Sequence, residues 1–318
     1  MFKEMNYVYA VYQEKSFTKA AQKLYISQPA LSSMVKKAEK KIGMPIFDRS
    51  TTPITLTRAG RYYIQQTEVI MRIQRDAEEH FRMLAGTHEN QLRLGGSSFF
   101  LSYVFPPVVK RFRQSNRRAN VSWVESRNDE LITRLMKNDI DFFLEVDELA
   151  NESIGAWLWG EEQLILAVPA EWPINDQLLD YQLSAEDVHE RKHRSDEVPA
   201  VDVSVFAEEP FILLREGNDS HRRAVGICRN AGFQPQNIYM TADQMLTSYY
   251  LAAEGHGAAF IRDSILFHAD LTENLYFYRL DDPLATRNIY LYYRRDKELS
   301  PVAQSFLDFV RSHPAISI

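Results

Sequence analysis

The chain has 318 residues, more than one typical domain holds, so two or more folded units are expected. Hydrophobic residues make up 45% and charged residues 25%, which is ordinary for globular proteins and leaves enough apolar side chains for a sizeable core. The net charge of −6 excludes a chain that is basic throughout, and no apolar run reaches the roughly 18 residues of a membrane-spanning helix, so no membrane partner is expected.

The single cysteine bears on the compartment. Cys228 cannot form an internal disulfide, which fits a reducing cytosol. The N-terminal residues include Lys3 and Glu4 and lack the apolar stretch of a secretory signal. We therefore expect a cytoplasmic protein. Cys228 lies among apolar residues of a predicted helix, which favours a buried packing residue over a redox sensor.

The charge is distributed unevenly along the chain. The first 60 residues contain eight Lys and two Arg against three Glu and one Asp, a net of +6, so the other 258 residues carry −12. A basic head on an acidic body suggests that the head alone binds a polyanion. The alternative is chance clustering of surface lysines.

Three short helices are predicted in the basic head. Periodic apolar residues predict the first over residues 4–14, and the second is predicted over residues 19–24, with Ser16 and Thr18 as suitable N-cap types. After a tight turn, Ser27 is predicted to cap a third helix that ends at Gly43.

The third helix has two different faces. Leu31, Val35, Ala38 and Ile42 are spaced to form one buried stripe, while the outer side is small, polar or cationic. A short turn followed by such a helix is typical of a helix-turn-helix, whose second helix enters the major groove of DNA. An ordinary three-helix bundle with solvated lysines is the alternative.

The segment from Ser16 to Gly60 resembles the N-terminal signature of LysR-type transcriptional regulators. The matching features are Ala20, Ala21, Leu24, the run Ser27-Gln28-Pro29-Ala30-Leu31-Ser32, Glu39, Gly43, Phe47, Arg49, Leu56, Thr57, Ala59 and Gly60. The resemblance implies a winged helix-turn-helix over residues 1–57, with the wing at Ser50 to Thr57. Two features depart from the family: Ser33 stands where arginine is frequent, and Thr51, Thr52 and Pro53 replace the usual basic residues of the wing.

A DNA-contacting surface follows from these features. A glutamine can pair with adenine, hydroxyls can bond several base edges, and lysines can neutralise phosphates. The candidate DNA-binding residues are Ser27, Gln28, Pro29, Ser32, Ser33, Lys36, Lys40 and Arg49.

A long helix is predicted to connect the head to the body. It begins after Thr57 and occupies residues 58–86, with a hinge at residues 86–90. One stripe has heptad-like spacing and consists of Tyr63, Thr67, Ile70, Gln74, Ala77, Phe81 and Leu84. The resemblance implies that this linker helix dimerises, and the alternative is packing against the chain's own body.

Strands and helices alternate beyond residue 90, which favours parallel sheets covered by helices. The strands are predicted at 92–95, 120–125, 141–145, 210–214, 238–241, 258–262, 275–280 and 288–293, and the helices at 101–114, 129–138, 219–230, 243–253 and 301–312. Two βαβ series suggest two lobes within residues 91–318, the first formed by 91–168 and 269–318 and the second by 169–268.

Ligands of such folds bind beyond the carboxyl ends of strands, near helix N-termini. The resemblance implies an effector domain that is similar to periplasmic binding proteins and holds its inducer between two lobes. The candidate effector-binding residues are Ser97, Ser98, Phe99, Arg127, Asn128, Glu145, Arg215, Thr241 and Asp243. Ser97 or Ser98 can instead cap the following helix. Arg215 can bond a carboxylate in a fork, or form a surface salt bridge.

One motif suggests a different function, that of a metal-dependent enzyme. His189-Glu190-Arg191-Lys192-His193 matches the HExxH pattern of zinc metalloproteases. The segment is polar and carries cationic residues that would repel zinc, so an exposed, charged excursion of the second lobe is the preferred interpretation.

The predicted fold class is therefore α/β: a winged helix-turn-helix, a linker helix and a two-lobed effector domain. The predicted function is a one-component transcriptional regulator, not an enzyme. It needs no cofactor or metal, and its expected partners are an interrupted-dyad duplex, a small effector that can be a carboxylate, a second copy in a dimer or tetramer, and RNA polymerase. The alternatives are a zinc metallohydrolase at His189, Glu190 and His193, and a solute-binding protein without a DNA role.

Overall fold

A computed structural model of the chain describes residues 2–51, 53–84, 90–146 and 148–313, without the side chains of residues 2, 3, 79, 80 and 82–84. The chain divides into two compact units, Met1–Thr87 and His88–Ile318. Most of the predicted hinge at 86–90 lies outside the described residues. No helix among the described residues is both long and apolar enough to cross a membrane.

The first unit is a helical bundle with a small hairpin. Its elements are α1 (Phe2–Glu14), α2 (Phe17–Lys23), α3 (Gln28–Ile42), β1 (Phe47–Asp48), β2 (Thr55–Leu56) and α4 (Arg58–Leu84). The predicted caps Ser16 and Ser27 are confirmed: Ser16 Oγ accepts from the Lys19 N–H and Ser27 Oγ from the Ala30 N–H, both at 3.3 Å. Thr18, the other suggested cap, lies within α2, which begins two residues earlier than predicted. Gly43 ends α3 with φ +73°, a left-handed conformation that suits glycine.

The long helix α4 starts as part of this unit. Thr57 Oγ1 accepts from the Gly60 N–H at 2.9 Å and so caps it. Tyr63 and Thr67, the first two positions of the predicted heptad stripe, are buried within the unit. Farther along α4, Ile73 and Phe81 are 61% and 68% exposed. Ile73 lies outside the predicted stripe, whereas the stripe positions Gln74, Ala77 and Phe81 are all exposed. The stripe is therefore divided between intramolecular packing and an exposed part.

The second unit contains a nine-stranded mixed sheet. Its strands are β3 (Gln91–Gly96), β4 (Asn120–Glu125), β5 (Phe142–Glu145), β6 (Ile154–Pro169), β7 (Phe211–Leu214), β8 (Ile238–Ala242), β9 (Ala258–Arg262), β10 (Leu275–Tyr278) and β11 (Thr286–Arg294). The strand order is β4-β3-β5-β11-β6-β9-β7-β8, and β10 pairs with β6. The two βαβ series form the parallel pairs, whereas β6, β10 and β11 pair antiparallel.

Helices connect and cover these strands. They are α5 (Phe105–Ser115), which continues a π-helical turn at Phe100–Val104, then α6 (Asn128–Met136), α7 (Ala185–His189), α8 (Asp219–Asn230), α9 (Met245–Ala253) and α10 (Pro301–Ser312). Short 3₁₀ turns occupy Pro173–Gln177, Leu179–Tyr181, Lys192–Arg194, Val203–Phe206 and Asp263–Phe267. These elements and the sheet enclose a continuous apolar core.

The strand β6, which has no counterpart among the sequence predictions, links two halves of the sheet. Its first residues, Ile154–Gln163, pair with β11, and Leu164–Pro169 pair with β9 and β10. The sequence-based assignment of β10 to the first lobe therefore differs from the structure, because β10 pairs with the end of β6 beside β9. The helix α10 does return to the first lobe, where Phe306 lies 5.2 Å from Phe112.

Candidate functional site

The helix α3 presents a polar and cationic face to solvent. Leu31, Val35 and Ala38 are buried on its inner side, as predicted. The candidate DNA-binding residues lie on the outside, with Ser27, Gln28, Pro29, Ser33, Lys36, Lys40 and Arg49 exposed and Ser32 half-buried. The helix thus displays, at its N-terminal end, the groups that can contact base edges.

The lysines of α3 differ in their partners. The carboxylate of Glu4 accepts from Lys41 Nζ at 2.9 Å and lies 3.5 Å from Lys37 Nζ. The hydrogen bond from Lys41 is the main cause that lowers the pKa of Glu4 to about 2. Lys37 and Lys41 therefore join α3 to α1, whereas Lys36 and Lys40 lie on the outer face.

Glu39 fixes the hairpin against α3. Its Oε1 accepts from the Ile46 N–H at 2.9 Å, and its Oε2 lies 3.2 Å from Arg49 Nη2. The Arg49 guanidinium also stacks 4.9 Å from the ring centroid of Phe17. Arg49 is thus held in place at the start of the predicted wing, with its side chain still 40% exposed.

A glycine allows α4 to approach this hairpin closely. A Cβ atom at Gly60 would lie 2.0 Å from the carbonyl oxygen of Ile46, which no other residue type can accommodate without a shift of the backbone. The position of the wing therefore depends on Gly60, one of the residues that carry the family resemblance.

In the second unit, a cleft of about 1020 Å³ opens at the carboxyl ends of the parallel strands. Of the candidate effector-binding residues, the structure brings together Ser97, Ser98, Arg127, Asn128, Glu145, Arg215 and Asp243. Sequence analysis missed other lining residues, among them Phe100, Glu125, Ser126, Ile132, Val146, Leu214, Glu216, Asn218, Asp219, Ser220, Gln244, Met245 and Arg262.

Two candidates do not line this cleft. Phe99 is 8% exposed and packs behind it, where its ring stacks on Arg262, so Phe100 supplies the apolar wall instead. Thr241 lies exposed on β8 and is absent from the lining of the cleft, whereas Asp243, just after the strand, is part of it.

Helix N-termini face the cleft. The helix α6 begins after Arg127 and α9 after Gln244, and neither N-cap side chain bonds the helix. Backbone N–H groups at such ends favour a negatively charged ligand group. The π-helical turn Phe100–Val104 begins after Phe99, whose side chain carries no capping group, and the Leu101 N–H donates to the backbone oxygen of Ser97.

Arg215, for which a carboxylate fork and a surface salt bridge are the two alternatives, is already paired. Arg215 Nε lies 2.7 Å from Asp243 Oδ1, and both side chains are 68% exposed. The surface-salt-bridge alternative therefore describes Arg215 in this structure. Arg127 is similarly exposed and lies 3.2 Å from Asp129.

The lining residues Asp219, Ser220 and Arg262, with Arg287 and Glu162 buried behind them, form what we call the floor of the cleft. Arg287 Nε donates to Glu162 Oε1 at 2.6 Å, and its Nη1 donates to Asp219 Oδ2 at 3.0 Å. Burial by itself would raise the pKa of Asp219, but the charges of Arg287 and Arg223 outweigh burial and lower it. Asp219 remains ionised as a result, and it anchors the start of α8 at the cleft.

Arg262, the last residue of β9, lies in the same region. It is 8% exposed, and its Nη1 lies 3.6 Å from Glu162 Oε2. Burial lowers the pKa of the Arg262 guanidinium from its ordinary value, while Glu162 acts in the opposite direction.

The HExxH segment is folded differently from its prediction. The helix α7 ends at His189, and Arg191 is left-handed with φ +65°, so the two histidines do not share a helix face. His193 is fully buried and its Nε2 lies 2.9 Å from Asp263 Oδ2. The prediction of an exposed, charged excursion holds for His189, Glu190, Arg191 and Lys192, which are exposed. It fails for His193, which packs on the turn that follows β9. No group of three or more potential metal ligands occurs among the described residues.

The prediction for Cys228 is confirmed. The residue is fully buried on α8, and desolvation raises the pKa of its thiol to about 12. A thiol with such a pKa holds almost no thiolate near neutral pH, which makes it a packing residue.

Comparisons with known proteins agree with both units. Residues 2–61 match the family profile "Bacterial regulatory helix-turn-helix protein, lysR family", and residues 85–315 match "LysR substrate binding domain". The chain is 27% identical to the uncharacterized HTH-type transcriptional regulator YcgK of Bacillus subtilis, covering 97% of this chain and 93% of that protein. It is 25% identical to the RuBisCO operon transcriptional regulator of Allochromatium vinosum, covering 96% and 94%.

Solved structures show the same fold. Full-length BenM matches with a TM-score of 0.56 and 24% identity, covering 99% of this chain and 97% of that one. Full-length CbnR in complex with its target DNA matches with a TM-score of 0.57 and 19% identity, covering 98% and 99%.

Proposed function

Because the chain belongs to the LysR family of bacterial transcriptional regulators, we propose that it recognises an operator through α3 and senses a small effector in the cleft. The observation that carries the proposal is the exposed face of α3, where Gln28, Ser33 and Lys36 lie opposite a buried apolar stripe. The relative CbnR, whose structure includes its target DNA, supports the same assignment.

The DNA-binding residues divide by role. Gln28 and Ser32, near the N-terminal end of α3, are the candidates for contacts to base edges, because this end of a recognition helix enters the groove. Lys36, Lys40 and Arg49 are the candidates for phosphate contacts, which fix the position of the protein without reading sequence. The remaining predicted residues Ser27, Pro29 and Ser33 border the same surface.

The proposed domains are a head at 1–57, a linker at 58–86 and two effector lobes within 91–318. Ile73 and Phe81 of α4 expose apolar surface that a second copy of α4 can cover. A dimer of this kind places two α3 helices on an interrupted dyad, and a tetramer spans two such sites. RNA polymerase is the proposed further partner, and the cytoplasm the proposed compartment.

The cleft supports the effector role. Its size suits a small molecule, and its lining combines hydroxyls of Ser97 and Ser98 with apolar side chains. An effector that binds one conformation of the second unit better than another shifts the population of the regulator's states.

Selection from a random duplex library tests the DNA proposal. The full-length protein is expected to enrich a sequence with two related half-sites, spaced by whole helical turns. An Ile73→Asp variant is expected to sediment as a smaller species and to bind the selected duplex more weakly. Retrieval of only random sequences would contradict the proposal.

A further inference from the structure

Arg262 lines the cleft, where it can contact a bound ligand. It ends β9 at the cleft, and its guanidinium lies 4.4 Å from the ring centroid of Phe99 and 5.2 Å from that of Phe100. Stacking uses the faces of a guanidinium and leaves its N–H groups, which lie in the plane, to form hydrogen bonds.

These N–H groups are not satisfied by the protein. In the part of the chain that the structure describes, Arg262 Nε and Nη1 are buried without a hydrogen-bond partner. The nearest carboxylate oxygen is Glu162 Oε2, which is also buried without a hydrogen-bond partner among the described residues. It lies 3.6 Å from Nη1, close enough for an ion pair but too far for a normal hydrogen bond. Buried polar groups are almost always hydrogen-bonded, so a site with unsatisfied donors that borders a cleft indicates a missing acceptor.

The charges at the floor also favour an anion. Burial lowers the pKa of the Arg262 guanidinium, and the charge of Arg287 acts in the same direction. The carboxylates of Glu162, Glu145 and Asp263 raise this pKa but do not fully offset the two lowering effects. A bound anion would therefore stabilise the buried cation further.

The rest of the lining is acidic. Its described residues include five further carboxylates and two guanidinium groups, on Glu125, Asp129, Glu145, Glu216, Asp243, Arg127 and Arg215. Apolar side chains of Ile132, Val146, Leu214 and Met245 lie among them. A ligand with one anionic head and an apolar body fits this pattern, whereas a second negative charge would meet the acidic lining.

We propose that the cleft binds a small monocarboxylate whose carboxylate accepts hydrogen bonds from Arg262, and that Arg215 is not the anchor. The inference rests on the proposed effector role of the cleft. Ser220 adds a donor beside the carboxylate, because its hydroxyl oxygen already accepts from Arg287 Nη1 at 2.8 Å, which leaves its proton for another acceptor.

Titration calorimetry on the full-length protein tests the proposal. The probes are butyrate and phenylacetate, their neutral amides butyramide and phenylacetamide, and succinate. Both monocarboxylates are expected to bind, and the amides and succinate to bind more weakly. Arg262→Gln is expected to weaken phenylacetate binding at least about tenfold, because a charge-assisted hydrogen bond is lost. Arg229→Gln, exposed at the end of α8, is the matched control, with binding unchanged.

Several outcomes would overturn the inference. These are amides that bind as well as the acids, no monocarboxylate binding at all, or loss of binding in Arg215→Gln but not in Arg262→Gln. If Arg262→Gln does not fold, the nitrogen resonance of an arginine Nε in the wild-type protein is expected to shift with phenylacetate and not with phenylacetamide. No such difference would also count against the proposal. Binding of the selected duplex is measured in parallel, so that loss of the DNA role and loss of the anion site are distinguished.

Discussion

The charged residues on the outer face of α3 are exposed to solvent, whereas those at the floor of the cleft are buried. Lys36 and Lys40 are exposed, so their charges act on a distant polyanion and are screened by salt. Arg287 is fully buried between carboxylates, so its charge acts over hydrogen-bond distance and is screened little. Substitutions on the first surface should therefore alter binding with little effect on folding, and substitutions in the second should alter stability.

The largest expected effect is on the buried network. Arg287→Met leaves Glu162 and Asp219 without their shared partner and is expected to lower the free energy of unfolding by about 3–5 kcal/mol. The four tryptophans, Trp123, Trp157, Trp159 and Trp172, all lie in the second unit, so their fluorescence during urea denaturation reports this unit alone.

Arg222→Ala is the matched control for that experiment. Its guanidinium also binds Asp219, at 2.6 Å, but its side chain is 71% exposed. The expected loss is about 0–1 kcal/mol, as for other exposed ion pairs. Equal losses in the two variants would contradict the distinction between buried and exposed charge.

The next prediction compares a base-contacting candidate of α3, Gln28, with a phosphate-contacting candidate, Lys36. Gln28→Ala is expected to remove about 1–3 kcal/mol of discrimination between the selected duplex and one with altered half-sites. Lys36→Ala is expected to weaken both duplexes equally. Fluorescence anisotropy with labelled duplexes measures both, and loss of discrimination in the lysine variant alone would show that the faces are wrongly assigned.

A smaller effect concerns Asp263, which accepts from His193 and Arg194. Burial would raise the pKa of Asp263, but these two partners lower it below its ordinary value of 3.8. In the unfolded chain the pKa of Asp263 is about 3.8, and above this pH the ionised carboxylate contributes its full stabilisation to the folded state. This stabilisation is lost as the pH falls through the lower pKa of the folded state. Asp263→Asn should be less stable than wild type near neutral pH.

The pH series provides the check. Tryptophan fluorescence is expected to show a constant difference between wild type and Asp263→Asn down to about pH 4, and a shrinking one below it. A difference that disappears already between neutral pH and about pH 5 would point to titration of a histidine instead.

The smallest expected effect is on Cys228. Because burial raises the pKa of this thiol to about 12, a disulfide reagent should label the folded protein far more slowly than the urea-unfolded protein. A Cys228→Ser variant gives the background, since the chain has no other cysteine. Rapid labelling of the folded chain would revive the redox-sensor alternative.

Local chemistry made much of the first unit predictable. Ser16, Ser27 and Gly43 act on helix ends within a few residues, and the buried stripe of α3 follows from its periodicity. Several elements of the second unit, such as α8 and α10, were predictable from the same signals.

The missed features depend on contacts between distant residues. The strand β6 lacks one periodicity, because its first half alternates in burial and its last residues are buried on both faces. His193 looks solvated until Asp263, 70 residues away, covers it. The surroundings of Arg262 depend on its contacts with Glu162 and Phe99, and no local sequence pattern connects either residue to it. The burial and contacts of charged residues are therefore hardest to predict from sequence when their partners lie far away in the chain.

The salt dependence of DNA binding tests the central claim, that the exposed cations of α3 bind duplex DNA. On the selected duplex, the logarithm of the association constant should fall linearly with the logarithm of salt concentration, as released counterions require. Lys36→Ala should reduce the slope by about one and leave the sequence preference unchanged. Binding that does not vary with salt, or a slope that is the same in Lys36→Ala, would contradict the account.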